Sequence, residues 1–240
     1  MEWRDEGIVL AARRHGETSA VVHLLTRDRG RHGGLVRGAA GKGGRGLWQP
    51  GNRLDVTWRG RLEDQLGAFT GELLDAGAAS LLADRTRLAC LSSACALCET
   101  ALPEREPHPL LFEGLRLLTD ALARDGGWAP LYVRWELVLI AELGYGLDLS
   151  ACAATGATED LAWVSPRSGR AVSRAAGAAY ADRLLPLPAF LLDETAEPDA
   201  AAIRDGLRLA GFFLERRLFP ALGRPLPPAR ARFLDRMARP

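Results

Sequence analysis

The chain has 240 residues, of which 48% are hydrophobic and 25% charged, with a net charge of +1. That apolar share excludes a disordered chain and provides for real cores, and no apolar run approaches the ~20 residues that cross a bilayer. Four cysteines, Cys90, Cys95 and Cys98 together and Cys152 apart, lack the spacing of a disulfide framework, so reduced thiols in a cytoplasmic, soluble protein are expected.

From Gly7 to Glu72 the apolar period is two, as in Leu54, Val56 and Trp58 alternating with Asp55, Thr57 and Arg59. Five short strands are predicted at about 7–14, 19–27, 31–39, 52–60 and 64–73, separated by turn clusters and a long glycine-rich loop from Gly38 to Gly46. Five antiparallel strands in so short a span close most economically into a small barrel of the OB type. From about Gly77 the period becomes helical. Ser80 is positioned to cap a helix through Leu88 to Leu97, and Pro109 and Pro130 suit the first turns of two more, the second ending near Gly144. Ile203, Leu207, Ala210, Leu214 and Leu218 trace one face of a long helix that closes near Gly223. The predicted fold is therefore α+β: an OB-fold domain at 1–76, then a helical domain at 77–240 with an insert at about 147–175.

The charge is unevenly spread. Between Arg27 and Arg61 nine basic residues face only Asp28 and Asp55, a local charge of +7 that leaves −6 for the remainder. Such a block is a candidate footprint for a polyanion. The candidate DNA contacts are Arg13, Arg14, Arg27, Arg29, Arg31, Arg37, Lys42, Arg45, Arg53 and Arg59. Aromatic rings interleaved with them offer bases a stacking surface, although which of Trp48, Trp58 and Phe69 face outward is open, with the core favoured for Trp58.

Other motifs carry less. Gly41-Lys42 is followed by Gly43 where a phosphate loop needs Ser or Thr, and Val36 stands where its first glycine belongs. Cys95 and Cys98 lie among Leu and Ala in a helical stretch and read as core residues. His15, His23, His32 and His108 show no nucleophile or metal-ligand spacing, and Glu159-Asp160 and Asp193-Glu194 sit in loop-like stretches, so no catalytic constellation is expected.

The order of Glu6-Gly-Ile-Val-Leu10, His15-Gly-Glu17, Leu25-Thr26 with Gly30, Arg37-Gly38, Gln49-Pro-Gly51 and Trp58-Arg59 resembles the N-terminal barrel of the RecO family of bacterial recombination mediators. Trp135 to Tyr145, then Asp148-Leu-Ser with Cys152, is similar to the family's helix leading into its zinc ribbon. The resemblance implies binding to single- and double-stranded DNA, annealing of complementary strands, and loading of RecA with RecR onto DNA coated by single-strand binding protein (SSB), at the nucleoid and without a cofactor. It also implies recognition of the acidic C-terminal tail of SSB, for which Arg216 and Arg217 are candidates. Aligned with the zinc pattern, only Cys152 keeps a ligand; Thr155, Ser165 and Ser168 replace the other three thiols, so a degenerate ribbon without metal is expected, with glycine kept at Gly156 and Gly169. The competing reading from the residues is an adaptor whose basic barrel binds acidic protein surfaces.

Overall fold

The computed structural model describes residues 1–39, 41–62, 65–124 and 127–238, without the side chains of Lys42 and Gly43. Packing divides the chain into two compact units, residues 1–126 with 226–240, and residues 127–225. The first unit holds a closed five-stranded barrel of β1 (Glu2–His15), β2 (Ser19–Thr26), β3 (Gly30–Val36), β4 (Arg53–Arg59) and β5 (Gly67–Asp75), in the order β1-β2-β3-β5-β4. This is the five-stranded OB barrel followed by helices that the periodicity predicts.

Two sequence features close the barrel. β1 pairs with β4 from Glu2 to Ile8 and with β2 from Gly7 to His15, and a bulge between Val9 and Ala11 bends it from one partner to the other. The parallel seam between β3 and β5 opens at Gly34 opposite Gly67. A Cβ at Gly34 would stand 2.4 Å from the Phe69 ring, and one at Gly67 2.3 Å from the Trp58 indole, so the strands can meet only where side chains are absent. The barrel core comprises Val9, Ala20, Val22, Leu24, Val36, Ala39, Trp48, Leu54, Val56, Trp58 and Phe69.

The glycine-rich segment departs from the expected loop. Lys42–Leu47 forms a short helix, α1, despite three glycines, and Asn52 Nδ2 donates to the Gly46 and Leu47 carbonyls at 2.7 and 3.0 Å. The fold outside the segment supplies what glycine's weak helix propensity does not. A four-residue turn, α2 (Gly77–Ser80), precedes α3 (Arg85–Ala101). Ser80 therefore ends a helix and does not start one: Asp84 caps α3, accepting from the Thr86 and Arg87 amides at 2.9 and 3.0 Å. α4 (Pro109–Ala123) starts on Pro109 as predicted and buries Leu111, Leu115, Leu118 and Leu122 on one face. α3 packs on β1 and against a C-terminal helix, Pro228–Met237.

The second unit begins with α5 (Trp128–Ile140), which passes into a π-helical turn, Ala141–Tyr145, ended by Gly144 at φ 85°. A small sheet in the order β7-β6-β8 follows, from β6 (Leu161–Val164), β7 (Ala171–Ser173) and β8 (Leu185–Pro186). Short helical turns, α6 (Arg174–Gly177) among them, lead to α7 (Ala200–Phe213), capped by Asp199. α7 runs into a second π-helical turn, Leu214–Leu218, and α8 (Phe219–Ala221) before Gly223. α7 and α5 approach closely: a Cβ on Gly206 would meet Val133 and Phe190 at 2.9 and 3.0 Å.

Candidate nucleic-acid interface

The ten basic candidates separate by partner. Arg27 and Arg53 both donate to Glu6, at 2.7 and 2.8 Å, and Arg27 also pairs with Glu113 while its guanidinium lies 4.6 Å over the Phe112 ring. Arg59 is held by Glu2 at 2.9 Å and Arg13 by Glu99 at 3.2 Å. Arg31 turns inward: it is 7% exposed, donates to the Leu102 carbonyl at 2.9 Å, and faces Glu104 and Glu99 at 3.4 and 4.0 Å. Its charge is consumed inside the fold, which removes it from the surface pool. Arg29 is exposed, 5.9 Å from the Trp3 ring. The side chain of Lys42 lies outside the described residues.

Four cations of the basic block, Arg27, Arg31, Arg53 and Arg59, are thus engaged by carboxylates that lie outside it in sequence. Glu99 shows how: near the C-terminal end of α3, it accepts from Arg13, contacts His23 on β2 at 2.5 Å, and stands near Arg31 on β3. The β2–β3 face is where OB barrels commonly seat oligonucleotides. Here Glu99 of α3 covers part of it, at His23 and Arg31. The three aromatic candidates are also withdrawn, with Trp48, Trp58 and Phe69 only 4%, 0% and 2% exposed. They stabilise the barrel and leave no ring there for a base.

A surface cleft lies beside α1 at one end of the barrel. Register places Arg14 beside Ala20 and Ala20 beside Val36, and Arg37 follows directly on β3. Arg14 and Arg45 line a cleft of about 550 Å³ with Ala12, Ala20, Ala39, Trp48, Gln49 and Pro50. Arg14 is fixed by neutral acceptors alone, the Gly16 and Glu17 carbonyls at 3.1 Å, and Arg37 is exposed. Among the described residues neither has a carboxylate within ion-pair distance. These are unneutralised guanidiniums on an accessible rim, the arrangement that exchanges counterions for phosphates.

A second cleft, of about 440 Å³, lies between α3 and the C-terminal helix. Arg85, Arg232 and Arg236 surround Leu88, Ala89 and Ala229, and Asp235 is the one acidic residue of the lining. Sequence reading missed it because the three arginines are spread over two helices nearly 150 residues apart. Arg217, by contrast, is tied to the Pro166 and Arg167 carbonyls at 3.2 and 2.5 Å.

The insert keeps two matching turns. The Gly156 amide donates to the Cys152 carbonyl at 2.9 Å and the Gly169 amide to the Ser165 carbonyl at 2.8 Å, each glycine at a φ near +70° (75° and 71°). Cys152 is buried, and its sulfur accepts from the Ser173 amide at 3.2 Å. Donors from the Thr155 hydroxyl and then from Ser173 lower its pKa to about 6. Thr155 Oγ1 accepts from Ala157, and Ser165 and Ser168 accept from nearby amides. One thiol and three hydroxyls engaged by backbone do not fit the thiolate set that holds a structural zinc tightly. Cys90, Cys95 and Cys98 are buried thiols; burial raises Cys95 to about 12 and Cys98 well above its ordinary value, which leaves both as unreactive core residues.

Comparison with known proteins gives a consistent picture. Residues 1–76 match the family model described as Recombination protein O N terminal, and residues 82–225 match Recombination protein O C terminal. The chain is 53% identical over 245 residues to the DNA repair protein RecO of Rhodospirillum rubrum, covering 100% of this chain and 97% of that one. It is 53% identical over 240 residues to the protein of the same name from Ruegeria sp., covering 100% and 99%. The corresponding protein of Rhodospirillum centenum is 54% identical over 238 residues, covering 98% and 94%.

Proposed function

The chain belongs to the RecO family of DNA repair proteins, and from that premise we propose that it binds single- and double-stranded DNA at the barrel cleft beside α1 and anneals complementary strands. The observation that carries this reading is the cleft flanked by Arg14 and Arg45, next to exposed Arg37, where cationic side chains stand without carboxylate partners for Arg14 and Arg37 among the described residues. Guanidiniums of this kind draw in strands of any sequence, and the weak contacts they make let two strands search for register before release. No metal or organic cofactor enters this role. Catalysis is likewise no part of the reading: what the chain contributes is charge neutralisation and placement.

The partners in this reading are RecR, SSB and, through them, RecA, with the protein acting at the nucleoid. The acidic tail of SSB has a chemical match in the cleft between α3 and the C-terminal helix, where three arginines ring an apolar floor. No helix among the described residues is long and apolar enough to cross a membrane. Fluorescence anisotropy of a labelled single-stranded oligonucleotide across a salt series tests the central claim. Affinity that falls with salt, and that Arg14→Glu with Arg45→Glu abolishes, supports it. Absence of binding at low salt transfers the basic surface to the adaptor reading, in which it meets acidic proteins.

A further inference from the structure

The second unit has its own cationic cleft, of about 180 Å³, lined by Tyr145, Gly146, Arg167, Ser168, Gly169, Phe213 and Arg217. Three segments build it: the π-helical turn that ends at Tyr145, the turn between β6 and β7, and the π-helical turn from Leu214 to Leu218. Both helices depart from regular α geometry at this place, as helices frequently do at functional sites. One terminal nitrogen of Arg217 donates to the Pro166 and Arg167 carbonyls, which pins the guanidinium at the cleft and leaves its Nε and other amino group to meet a ligand.

The charge here is unneutralised in a way that its neighbourhood is not. Arg170 pairs with Asp148 at 3.2 Å and Arg174 with Asp160 at 3.1 Å. Arg167 and Arg217 are exposed, and among the described residues no carboxylate lies within ion-pair distance of them. Beside them are the exposed Ser168 hydroxyl and the Tyr145 ring, which is 38% exposed where Trp48, Trp58 and Phe69 are buried. Planar guanidiniums grip phosphate oxygens, a hydroxyl adds a donor, and an exposed ring offers a base its face. An acidic peptide needs an apolar trough beside the cations, and the only buried apolar wall here is Phe213.

We propose that this cleft is a second nucleic-acid contact, taking a backbone phosphate between Arg167 and Arg217 with an adjoining base against Tyr145. The inference rests on the reading of the chain as a DNA-binding protein, but the cleft shares no residue with the barrel cleft. One chain then holds two strand segments at once, which speeds their annealing.

The test uses the full chain and oligonucleotides of roughly 10 nucleotides, within the site size of one OB barrel. Arg167→Glu with Arg217→Glu reverses the two charges that line the cleft, and Arg167→Lys with Arg217→Lys keeps the charge. The wild type is expected to bind two oligonucleotides per chain at low salt and the Glu pair one. The Glu pair is also expected to anneal complementary strands at least about tenfold more slowly, with the tighter site unchanged, and the Lys pair to recover most of that rate. Tyr145→Ala weakens the second site with the salt slope unchanged. If the Glu pair keeps both stoichiometry and annealing rate, the second contact is wrong while the barrel reading stands. If a hexa-aspartate peptide, and not the oligonucleotide, loses binding in the Glu pair, the cleft is a protein site and the proposal falls. If the wild type binds no oligonucleotide, the reading beneath it has failed.

Discussion

Glu99 Oε1 lies 2.5 Å from Nδ1 of His23, so a carboxylate near the end of α3 closes over the strand pair that OB barrels commonly present to ligands. Arg13 shares the same oxygen at 3.2 Å. Glu99→Ala removes the acceptor that a half-buried imidazole and a guanidinium both use, and is expected to lower unfolding stability by about 1–3 kcal/mol. A urea titration checks this through the shift in midpoint at constant slope. An unchanged midpoint would mean that apolar packing alone, through buried Leu91, Cys95 and Cys98, keeps the helix on the barrel.

Arg31 and Arg37 lie on or just after one strand and have opposite fates. Arg31→Ala strands the Leu102 carbonyl and leaves Glu104 with only Arg105, at 3.8 Å, so a stability loss of about 1–3 kcal/mol is expected, with the salt dependence of DNA binding unaltered. Arg14→Ala, Arg37→Ala and Arg45→Ala together are expected to do the reverse. Stability stays within about 0.5 kcal/mol, as is usual for surface sites, while the log–log salt slope for single-stranded DNA falls by about 2, at ~0.7 per lost phosphate contact. Equal loss of slope from both variants would contradict the inward placement of Arg31.

The strands were readable because their alternation is local: Leu54, Val56 and Trp58 are buried and Asp55, Thr57 and Arg59 are not. What escaped reading was non-local. The arginine-rich block looks like one cationic surface until Glu2, Glu6, Glu99, Glu104 and Glu113 fold onto it from both sides in sequence. α1 escaped because glycine is a poor helix former and tertiary contacts override it, and Ser80 misled because Asp84, four residues on, has the same capping chemistry. The C-terminal helix begins on Pro228 and carries arginines where an apolar stripe would have announced it, so half of the α3 cleft had no signature. The candidate site was legible as a list of cations; which of them are unpaired depended on the fold.

Glu6 provides a pH test. Burial raises its pKa, but hydrogen bonds from Arg27 and Arg53 outweigh burial and hold the carboxyl below its ordinary value of 4.5. Between the folded and unfolded values the unfolded chain binds more protons, so the stability contributed by Glu6 is complete above the unfolded pKa and is lost as pH falls through the folded one. Glu6→Gln is accordingly expected to be less stable than the wild type at pH 7, with the gap narrowing as pH drops below about 4. Thermal melts of both proteins from pH 7 down to the acid transition measure the gap. A difference that stays constant over that range would show that Glu6 contributes packing and no ion pair.

The insert allows a gain of function to be predicted. Its two turns have matching backbone bonds, Gly156 to Cys152 and Gly169 to Ser165, and the amide of Ala153 joins them by donating to Ala171 at 2.8 Å. Each turn has the backbone of a ligand knuckle, and three added sulfurs test whether the two can share an ion. Thr155→Cys with Ser165→Cys and Ser168→Cys restores the thiolate set, so the triple variant is expected to retain one zinc per chain after dialysis against chelator, measured by elemental analysis, where the wild type retains far less. The triple variant should also melt higher with zinc than without, since a metal that binds only the folded state stabilises it by mass action. If the wild type itself carried stoichiometric zinc, Cys152 would have partners other than the hydroxyls and amides that surround it; if the triple variant bound none, the two turns would be too far apart to share an ion and the likeness to a ribbon would be one of sequence alone.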